Sequence, residues 1–547
     1  MRILVAEKLA PAGVSLLAAH HEVDERAGLP RAEFLRILPD YEALVVRSQV
    51  QVDAEAIAAG PRLIVIGRAG VGVDNVDIAA ATRAGITVVN APTGNTVAAA
   101  EHTMALLLAV ARHVAAGDES VRRGEWRRSE LLGVELRGRT LGIVGLGRIG
   151  MAVAARARAF EMELLGADPY VTAEAAAAHG IELVGLDDLL SRSDAVTLHV
   201  PLTEQTRGLI GAAELARMKP DSIVVNAARG GLVDEEALAE ALQGGRLGGA
   251  GIDVFEEEPP KSSPLMEAPR TVLTPHLGAS TAEAQALVAV EAAQQVLDVL
   301  AGRPARYAVN SPLVAPEAAA AMGPYLDLAR VLGRFYAQFT RAGLATLQLE
   351  LSGEAAEHDP APLTAAALEG LLGGSTEERV NLINAPLLAR ARGIRLSERR
   401  VHASDSRAEI LLEGGAGPRE TAVGGSVVGG EPRLTRLGGY AMDMAPAPFM
   451  LVTRHQDRPG TMGRIGIMLG KADVNISAMA LGRSGPRADA LMVLALDDPV
   501  PEEVAARIRA EPAVLDLWVI SLPLPRAGGE QPGTGAEPST GADDQRP

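Results

Sequence analysis

There is no cysteine among the 547 residues. That excludes disulfides, thiolate metal sites and cysteine nucleophiles, and it fits a reducing compartment. No metal site is expected from the remaining residues. Aromatic residues are only 3% of the chain; together with the abundant alanine, we read this as a compositional habit without functional content. Positive charge is also short. A formal net charge of −17 leaves no phosphate-attracting excess, so a nucleic-acid partner is not expected. Long apolar runs are missing too, none reaching the ~18 residues that span a bilayer. The best candidate, Met104 to Val110, is short and follows Glu101 and His102. Met1 to Ala6 enters a strand-like run directly, without the plan of a signal peptide. A cytoplasmic address and no membrane partner are the expectation.

What is present is a globular composition, 48% hydrophobic and 22% charged. The chain exceeds the ~250–300 residues at which single cores stop growing, and ~150 residues per domain suggests three or four units. Up to about residue 310, short β-branched runs alternate with alanine-rich helical stretches. Examples are Ala43–Val46, Leu63–Ile66, Leu141–Val144, Ala195–Leu198 and Ser222–Val225. Such alternation argues for α/β architecture with parallel sheets covered by helices. The run is long enough for two doubly wound domains. Residues 314 to about 445 read as irregular, with many glycines and a few helical or strand segments. Residues 449 to 521 read as a small βαββαβ unit, with strands near Met450–Thr453, Asn475–Ala478, Leu491–Leu494 and Leu517–Ile520. From Arg526 onward there is nothing to bury, and a disordered tail is expected.

Gly145-Leu146-Gly147-Arg148-Ile149-Gly150 follows the apolar run Leu141–Val144 and precedes a helical stretch, Met151–Phe160. Small residues there let a backbone approach a pyrophosphate at a helix N-terminus. Asp168 ends the next strand, Glu163–Ala167. A carboxylate at that place accepts bonds from the adenosine ribose hydroxyls and repels a 2′-phosphate. Pro169 and Tyr170 follow, with no arginine to receive such a phosphate. NAD is therefore expected rather than NADP.

Three further strand ends carry reactive groups. Asn226 to Gly231 brings Arg229, Asp253 to Pro259 brings Glu258, and Thr274 to Gly278 brings His276. Ligands of an open parallel sheet bind beyond the carboxyl ends of its strands, so the three converge on one cleft. Oxidising a secondary alcohol removes a hydride from carbon and a proton from oxygen. A histidine can take that proton, a carboxylate fixes its tautomer, and an arginine fork holds a substrate carboxylate. Taken singly, each residue has a bland reading as a surface charge or a solvated face; together, behind a dinucleotide fingerprint, the chemical reading prevails. Glu258 is chosen among three glutamates because Pro259 fixes the backbone beside it.

These runs, with Pro275 to Thr281, resemble the D-isomer-specific 2-hydroxyacid dehydrogenase family. Arg68-Ala69-Gly70-Val71-Gly72-Val73-Asp74-Asn75-Val76-Asp77 resembles its branch that acts on a phosphorylated three-carbon acid. The resemblance covers essentially residues 1 to 523. It implies two Rossmann-like doubly wound parallel-sheet domains, a substrate-binding domain of 1–93 plus 284–313 and an NAD-binding domain of 94–283. An α+β intervening domain (314–445), a βαββαβ ACT domain (446–523) and the tail (524–547) would follow. It also implies Arg229 as substrate anchor, His276 as acid/base and Glu258 as its partner. Arg148, Ile149, Val200, Pro201, Ala227, Ala228, Asp253 and Gly278 would line the cofactor cleft with the three glycines.

For the substrate, the resemblance points to Arg47 and Ser48 after the strand Leu44–Val46, to Gly70, Val71 and Gly72 through their N–H groups, and to Asn95. Relatives acting on glyoxylate, hydroxypyruvate or lactate share the catalytic trio, and an NAD-sensing scaffold or corepressor exists on the same fold, so the trio alone leaves these open. The C-terminal part does more. Val380-Asn381-Leu382-Ile383-Asn384-Ala385-Pro386 resembles the intervening domain of the long branch. Asp457-Arg458-Pro459-Gly460 followed by Val474-Asn475-Ile476 resembles an ACT domain, a sensor of small ligands. His455, Asp457 and Asn475 are its candidate ligand residues, and L-serine the candidate feedback ligand, bound between paired ACT domains. A homo-oligomer, dimer or tetramer, is implied, with the helix Thr96–Arg112 as its dimer-forming element.

Overall fold

The computed structural model describes residues 1–303, 305–311, 316–340, 344–376, 379–401, 409–415 and 421–523. The expected tail lies outside them. Two compact units emerge, one of Met1–Asp77 with Val88–Tyr307 and one of Ile78–Thr87 with Ala308–Pro547.

The first unit holds two sheets. One has the order β2-β1-β3-β4-β5, built from β1 (Arg2–Val5), β2 (Glu22–Glu25), β3 (Ala43–Val46), β4 (Val65–Arg68) and β5 (Thr87–Asn90). β1 runs parallel to β2 and β3, and β3 to β4. Every residue of β3 is buried, the signature of a strand covered on both faces, where apolar residues run on without alternating. β4 starts two residues into the apolar run Leu63–Ile66, because Leu63 N–H is still closing a turn onto the Gly60 carbonyl.

The other sheet has the order β12-β11-β10-β9-β6-β7-β8. Its strands are β6 (Thr140–Val144), β7 (Glu163–Ala167), β8 (Glu182–Leu183), β9 (Ala195–Leu198), β10 (Ile223–Asn226), β11 (Gly249–Ile252) and β12 (Thr271–Leu273), all parallel to their neighbours. The chain leaves β6 toward β7 and β8 and returns to β9 on the other side. That reversal opens a crevice beyond the strand ends, where nucleotides bind. The helix Thr96–Ala111 is apolar nearly all round and packs on β10, β11 and β12. The Gly-Ala-Gly of β11 admits it: a Cβ on Gly251 would lie 2.9 Å from the Cβ of Leu106. The helix Ala282–Leu300, capped by the Thr281 hydroxyl on Ala284 N–H, packs back on β3 and β4. The chain thus crosses from the first sheet to the second and returns.

The second unit holds a six-stranded sheet, β14-β13-β15-β16-β17-β18, and a four-stranded one, β20-β21-β19-β22. The first is made of β13 (Thr346–Ser352), β14 (Arg395–Val401), β15 (Glu409–Gly415), β16 (Thr421–Val428), β17 (Glu431–Leu437) and β18 (Tyr440–Met444). The second is made of β19 (Phe449–Gln456), β20 (Ile476–Arg483), β21 (Asp489–Leu496) and β22 (Val514–Ser521), with helices Thr461–Gly470 and Glu502–Arg509 between strands. It is the expected βαββαβ unit. The stretch before it is the α+β domain that the resemblance implied, with more regular structure than the few segments read from its glycine-rich sequence. Besides its sheet, that stretch has helices Pro316–Phe339 and Pro360–Leu372. Glycines that read as breakers are contact points instead. A Cβ on Gly333 would strike the carbonyl of Ala367, and one on Gly370 that of Arg330, so their absence lets two helix backbones touch. One core joins both sheets, with Phe335, Tyr336, Leu349 and Leu368 packed in the same cluster as Met450, Val493 and Ile520.

The same unit takes in the turn at Gly85. Asn381 Nδ2 donates to the Gly85 carbonyl (2.7 Å) and Asn384 Nδ2 to that of Arg83 (3.4 Å). Asn310 Nδ2 donates to Ile86 (2.9 Å).

Candidate active site

The turn after β6 has no room for side chains on its inner side. Gly145 stands at φ +94°, and a Cβ there would lie 2.6 Å from the His199 carbonyl and 2.7 Å from Val200 Cγ1. A Cβ on Gly150 would collide with the Gly145 carbonyl. Gly147 is the opposite case, facing open space. It caps the helix Arg148–Ala159 with no side-chain bond, so the first N–H groups, at Arg148 and Ile149, are offered to an anion. Asp168 is oriented by Leu146 N–H on Oδ2 and Tyr170 N–H on Oδ1, both 2.8 Å, leaving each oxygen a lone pair for a hydroxyl. A cradle with an open floor, free donors at one end and a carboxylate at the other fits a dinucleotide. Val200 and Pro201 follow β9, and Ala227 and Ala228 follow β10, at the same crevice. His199, beside them, is pushed down to about 4 by burial and stays neutral.

Across the strand ends the reactive groups meet. His276 Nδ1 lies 2.7 Å from Glu258 Oε2, and Glu258 Oε1 accepts from Phe255 N–H at 3.1 Å. Burial alone would raise the Glu258 carboxyl, but the bond to His276 and its charge outweigh that and hold it below its ordinary value. With Nδ1 engaged, Nε2 is left for a substrate. Glu256 and Glu257 turn away, to Arg207 and Lys261. Asp253 is fully buried and bonded to Leu277 N–H, Gly278 N–H, Thr274 and His102.

Arg229 donates through Nε to Asp74 Oδ2 (3.1 Å), a residue of the β4–β5 connection. That connection carries the other expected substrate groups. The carbonyls of Gly70 and Val71 are tied to Ala91 N–H and Asn90 Nδ2, while the N–H groups of Val71 and Gly72 have no partner among the described residues. The loop of Arg47 and Ser48 is held by Glu7, whose Oε1 accepts from the N–H groups of Arg47, Gln49 and Val50 at 2.9–3.1 Å. Asn95 Oδ1 is buried without a partner among the described residues.

Two residues here were missed in the sequence. Arg68 ends β4 as Arg47 follows β3, and its Nε is buried with no partner among the described residues. Burial above all, with the charges of Arg229 and Arg47, lowers its pKa to about 10 against the pull of Asp74 and Glu7. Asp74, the partner of Arg229, is the other. Both sit in a motif quoted for its glycines, and the strand-end rule that picked Arg47 also picks Arg68.

In the ACT unit, His455 is buried, and that burial lowers its pKa. Asp457 Oδ2 accepts from Arg483 and from Arg487 N–H, both 3.3 Å, at the far end of β20. Asn475 precedes the start of β20 and donates to Asp497 Oδ2 at 2.6 Å. Eight residues of strand, roughly 25 Å, separate them, so one chain does not bring them together.

Comparison with known proteins agrees with this geometry. Residues 104–278 match the family model of the D-isomer specific 2-hydroxyacid dehydrogenase NAD binding domain. Residues 321–438 match the D-3-phosphoglycerate dehydrogenase intervening domain and 449–513 the ACT domain. A D-3-phosphoglycerate dehydrogenase of Synechocystis sp. is 43% identical over 95% of each chain. The chain belongs to the D-isomer specific 2-hydroxyacid dehydrogenase family. One from Archaeoglobus fulgidus is 41% identical, over 95% of this chain and all of that one. Among solved structures, a protein from Thermus thermophilus superposes with TM-score 0.53 at 40% identity, covering 56% of this chain and 100% of that one. An NAD-dependent formate dehydrogenase of Staphylococcus aureus, solved with NAD, gives TM-score 0.51 at 32% identity, over 56% of this chain and 97% of that one. The family's cofactor is NAD, and the crevice described above has the groups to hold it.

Proposed function

We propose that this protein oxidises 3-phospho-D-glycerate to 3-phosphohydroxypyruvate with NAD, the first step of L-serine synthesis. The observation that carries this reading is the cation cluster of Arg47, Arg68 and Arg229, with Arg68 Nε left unpaired. A buried guanidinium lacking one partner, pressed by two others, calls for an anion. A substrate with a phosphate at one end and a carboxylate at the other supplies two.

Bound NAD supplies the acceptor for the hydride. The chain supplies the rest. Arg229 and the free N–H groups of Val71 and Gly72 hold the carboxylate, which orients the neighbouring C–OH. Arg47 and Arg68 take the phosphate. His276 Nε2 accepts the hydroxyl proton as the carbonyl forms, and Glu258 stabilises the resulting imidazolium. In the reverse direction His276 returns the proton to the alkoxide. Asp168 receives the ribose hydroxyls.

L-serine acts as a feedback ligand between ACT domains of two chains. β20 is the edge strand of its sheet, and Ile476 and Met479 on it are exposed. Pairing two such edges antiparallel sets Asp457 of one chain near Asn475 of the next, which joins the two ends that a single chain keeps apart. The protein is then a homo-oligomer. A reaction mixture of NAD with 3-phospho-D-glycerate, D-glycerate or D-lactate tests the main reading by NADH formation. Preference for the unphosphorylated acids points to another 2-oxo acid reductase, and no turnover with any of them to a scaffold.

A further inference from the structure

We infer that His102 is a positioning residue for the acid/base histidine, acting through Asp253, which clamps the loop that carries His276. This rests on the dehydrogenase reading for its assay. The observation behind it is the bonding of a carboxylate that solvent does not reach. Asp253 Oδ1 accepts from Thr274 Oγ (2.5 Å), Leu277 N–H (2.7 Å) and His102 Nε2 (3.1 Å), and Oδ2 from Gly278 N–H (2.8 Å). Its main-chain carbonyl accepts from His276 N–H (2.8 Å), and its own N–H donates to Asn226 (2.9 Å), at the strand end that leads to Arg229. One residue therefore grips the His276 loop before, at and after the histidine.

The loop needs that grip. His276 stands at φ +54°, a conformation that L-residues hold only where their surroundings fix it. The grip in turn needs an ionised carboxylate. Protonation would put a hydrogen on one oxygen and remove an acceptor from Leu277 or Gly278. Burial favours that protonation, and the bonds from His102, Thr274 and Leu277 oppose it and keep the Asp253 carboxyl below its ordinary range. The other titratable groups near it lie on the loops themselves, Glu258 after β11 and His276 after β12. Glu258 carries charge of the wrong sign, and His276 is paired to it. Among the described residues, His102 is the one basic side chain within reach of Asp253, and its Nε2 lies 3.1 Å from both Asp253 Oδ1 and Thr274 Oγ1. It reaches there from the buried helix Thr96–Ala111, with 18% of its side chain exposed. A lone histidine on an apolar helix is otherwise unexplained.

The experiment compares His102→Gln, whose amide reaches as far as Nε2, with His102→Asn, whose amide stops near the position of Nδ1. Rates are followed from about pH 5 to 9 in the reductive direction, with NADH and 3-phosphohydroxypyruvate, and NADH affinity is read in parallel by fluorescence quenching. In this direction His276 begins by giving up a proton, so acid does not disable it, and loss on the acid side reports Asp253. The Gln variant should follow the wild type within about threefold. The Asn variant should lose kcat on the acid side by about 10- to 100-fold, the scale of a reacting group displaced by about 1 Å, and bind NADH more weakly there. An Asn profile that superposes on the wild type overturns the inference. So does a Gln variant that falls together with the Asn variant at every pH, since that marks bulk rather than the donor. Should the Asn variant not fold, Thr274→Val removes the neighbouring donor and must show the same acid loss beside an intact Gln variant; no acid loss there also overturns it. Wild type that does not reduce 3-phosphohydroxypyruvate defeats the proposed reaction instead, and NADH binding in the variants still decides the role of His102.

Discussion

The catalytic cleft and the ACT unit treat their polar groups in opposite ways. Around the cleft, Arg68 Nε and Asn95 Oδ1 are buried with no partner among the described residues, and the N–H groups of Val71 and Gly72 have none there either. In the ACT unit, Asn475 is bonded to Asp497, and Asp457 to Arg483 and Arg487. Near that loop, Thr461 Oγ alone is left over among the described residues. A buried polar atom without a partner costs roughly 1–3 kcal/mol. The cleft keeps that cost until a substrate arrives, whereas the ACT residues are satisfied within one chain and, on the function proposed above, form a site only with a second one.

The largest expected effect lies in the cleft. His276→Asn should lower kcat by roughly 10²–10⁴-fold while NAD still binds, and asparagine tolerates the positive φ of that position. Turnover near the wild-type rate would take His276 out of the chemistry. Arg68→Ala should come next. Loss of one charge-assisted contact to the substrate corresponds to about 10- to 150-fold in kcat/KM, seen in the KM for 3-phospho-D-glycerate and not in that for NAD. An equal rise in both would mean that Arg68 only supports the fold. The regulatory half of the contrast is tested with L-serine, which should weaken activity by about 5- to 150-fold, as a coupling of ~1–3 kcal/mol gives. Asn475→Ala should abolish that response and leave the uninhibited rate alone. Dilution to single chains should abolish it too; a response that survives in monomers would break the comparison.

The smallest effect concerns acid stability and again sets one unit against the other. His199 and His455 are both pushed below the ordinary 6.5 by burial, His199 to about 4. The unfolded chain then binds protons that the folded one refuses. Stability is fully present above about pH 6.5 and falls as pH drops toward the folded values. His199→Gln should flatten that fall in a thermal melt by up to about 3 kcal/mol, through the unit that holds the cleft. A melt as steep as the wild type's would show that His199 is neutralised by something else.

The parts of the site legible in the sequence are those whose chemistry is local. Gly145 to Gly150, with Asp168 at the next strand end, is a contiguous pattern that only one backbone path satisfies. Arg229, Glu258 and His276 each follow an apolar run, so the rule of strand ends was enough to gather them. Partners that arrive from elsewhere were not legible. Asp74 reaches Arg229 across 155 positions and His102 reaches Asp253 across 151, and nothing adjacent to either marks it. The region before the ACT unit failed for a different reason. Its helices meet through Gly333 and Gly370, so glycines that suggest loops in the sequence lie inside packed helices.

The turn at Gly85 has a bearing on how this enzyme can be cut. Helix Ile78–Arg83 and the start of β5 belong to the same compact unit as the C-terminal half, and the amides of Asn310, Asn381 and Asn384 bond to Thr82, Arg83, Gly85 and Ile86. The other end of β5 is Asn90, which steadies Val71. A gene shortened after Tyr307 therefore loses the amides that bond this turn. It removes the socket from one end of a strand whose other end holds the substrate loop, and an engineer seeking a minimal enzyme has to redesign residues 78–87 along with the deletion.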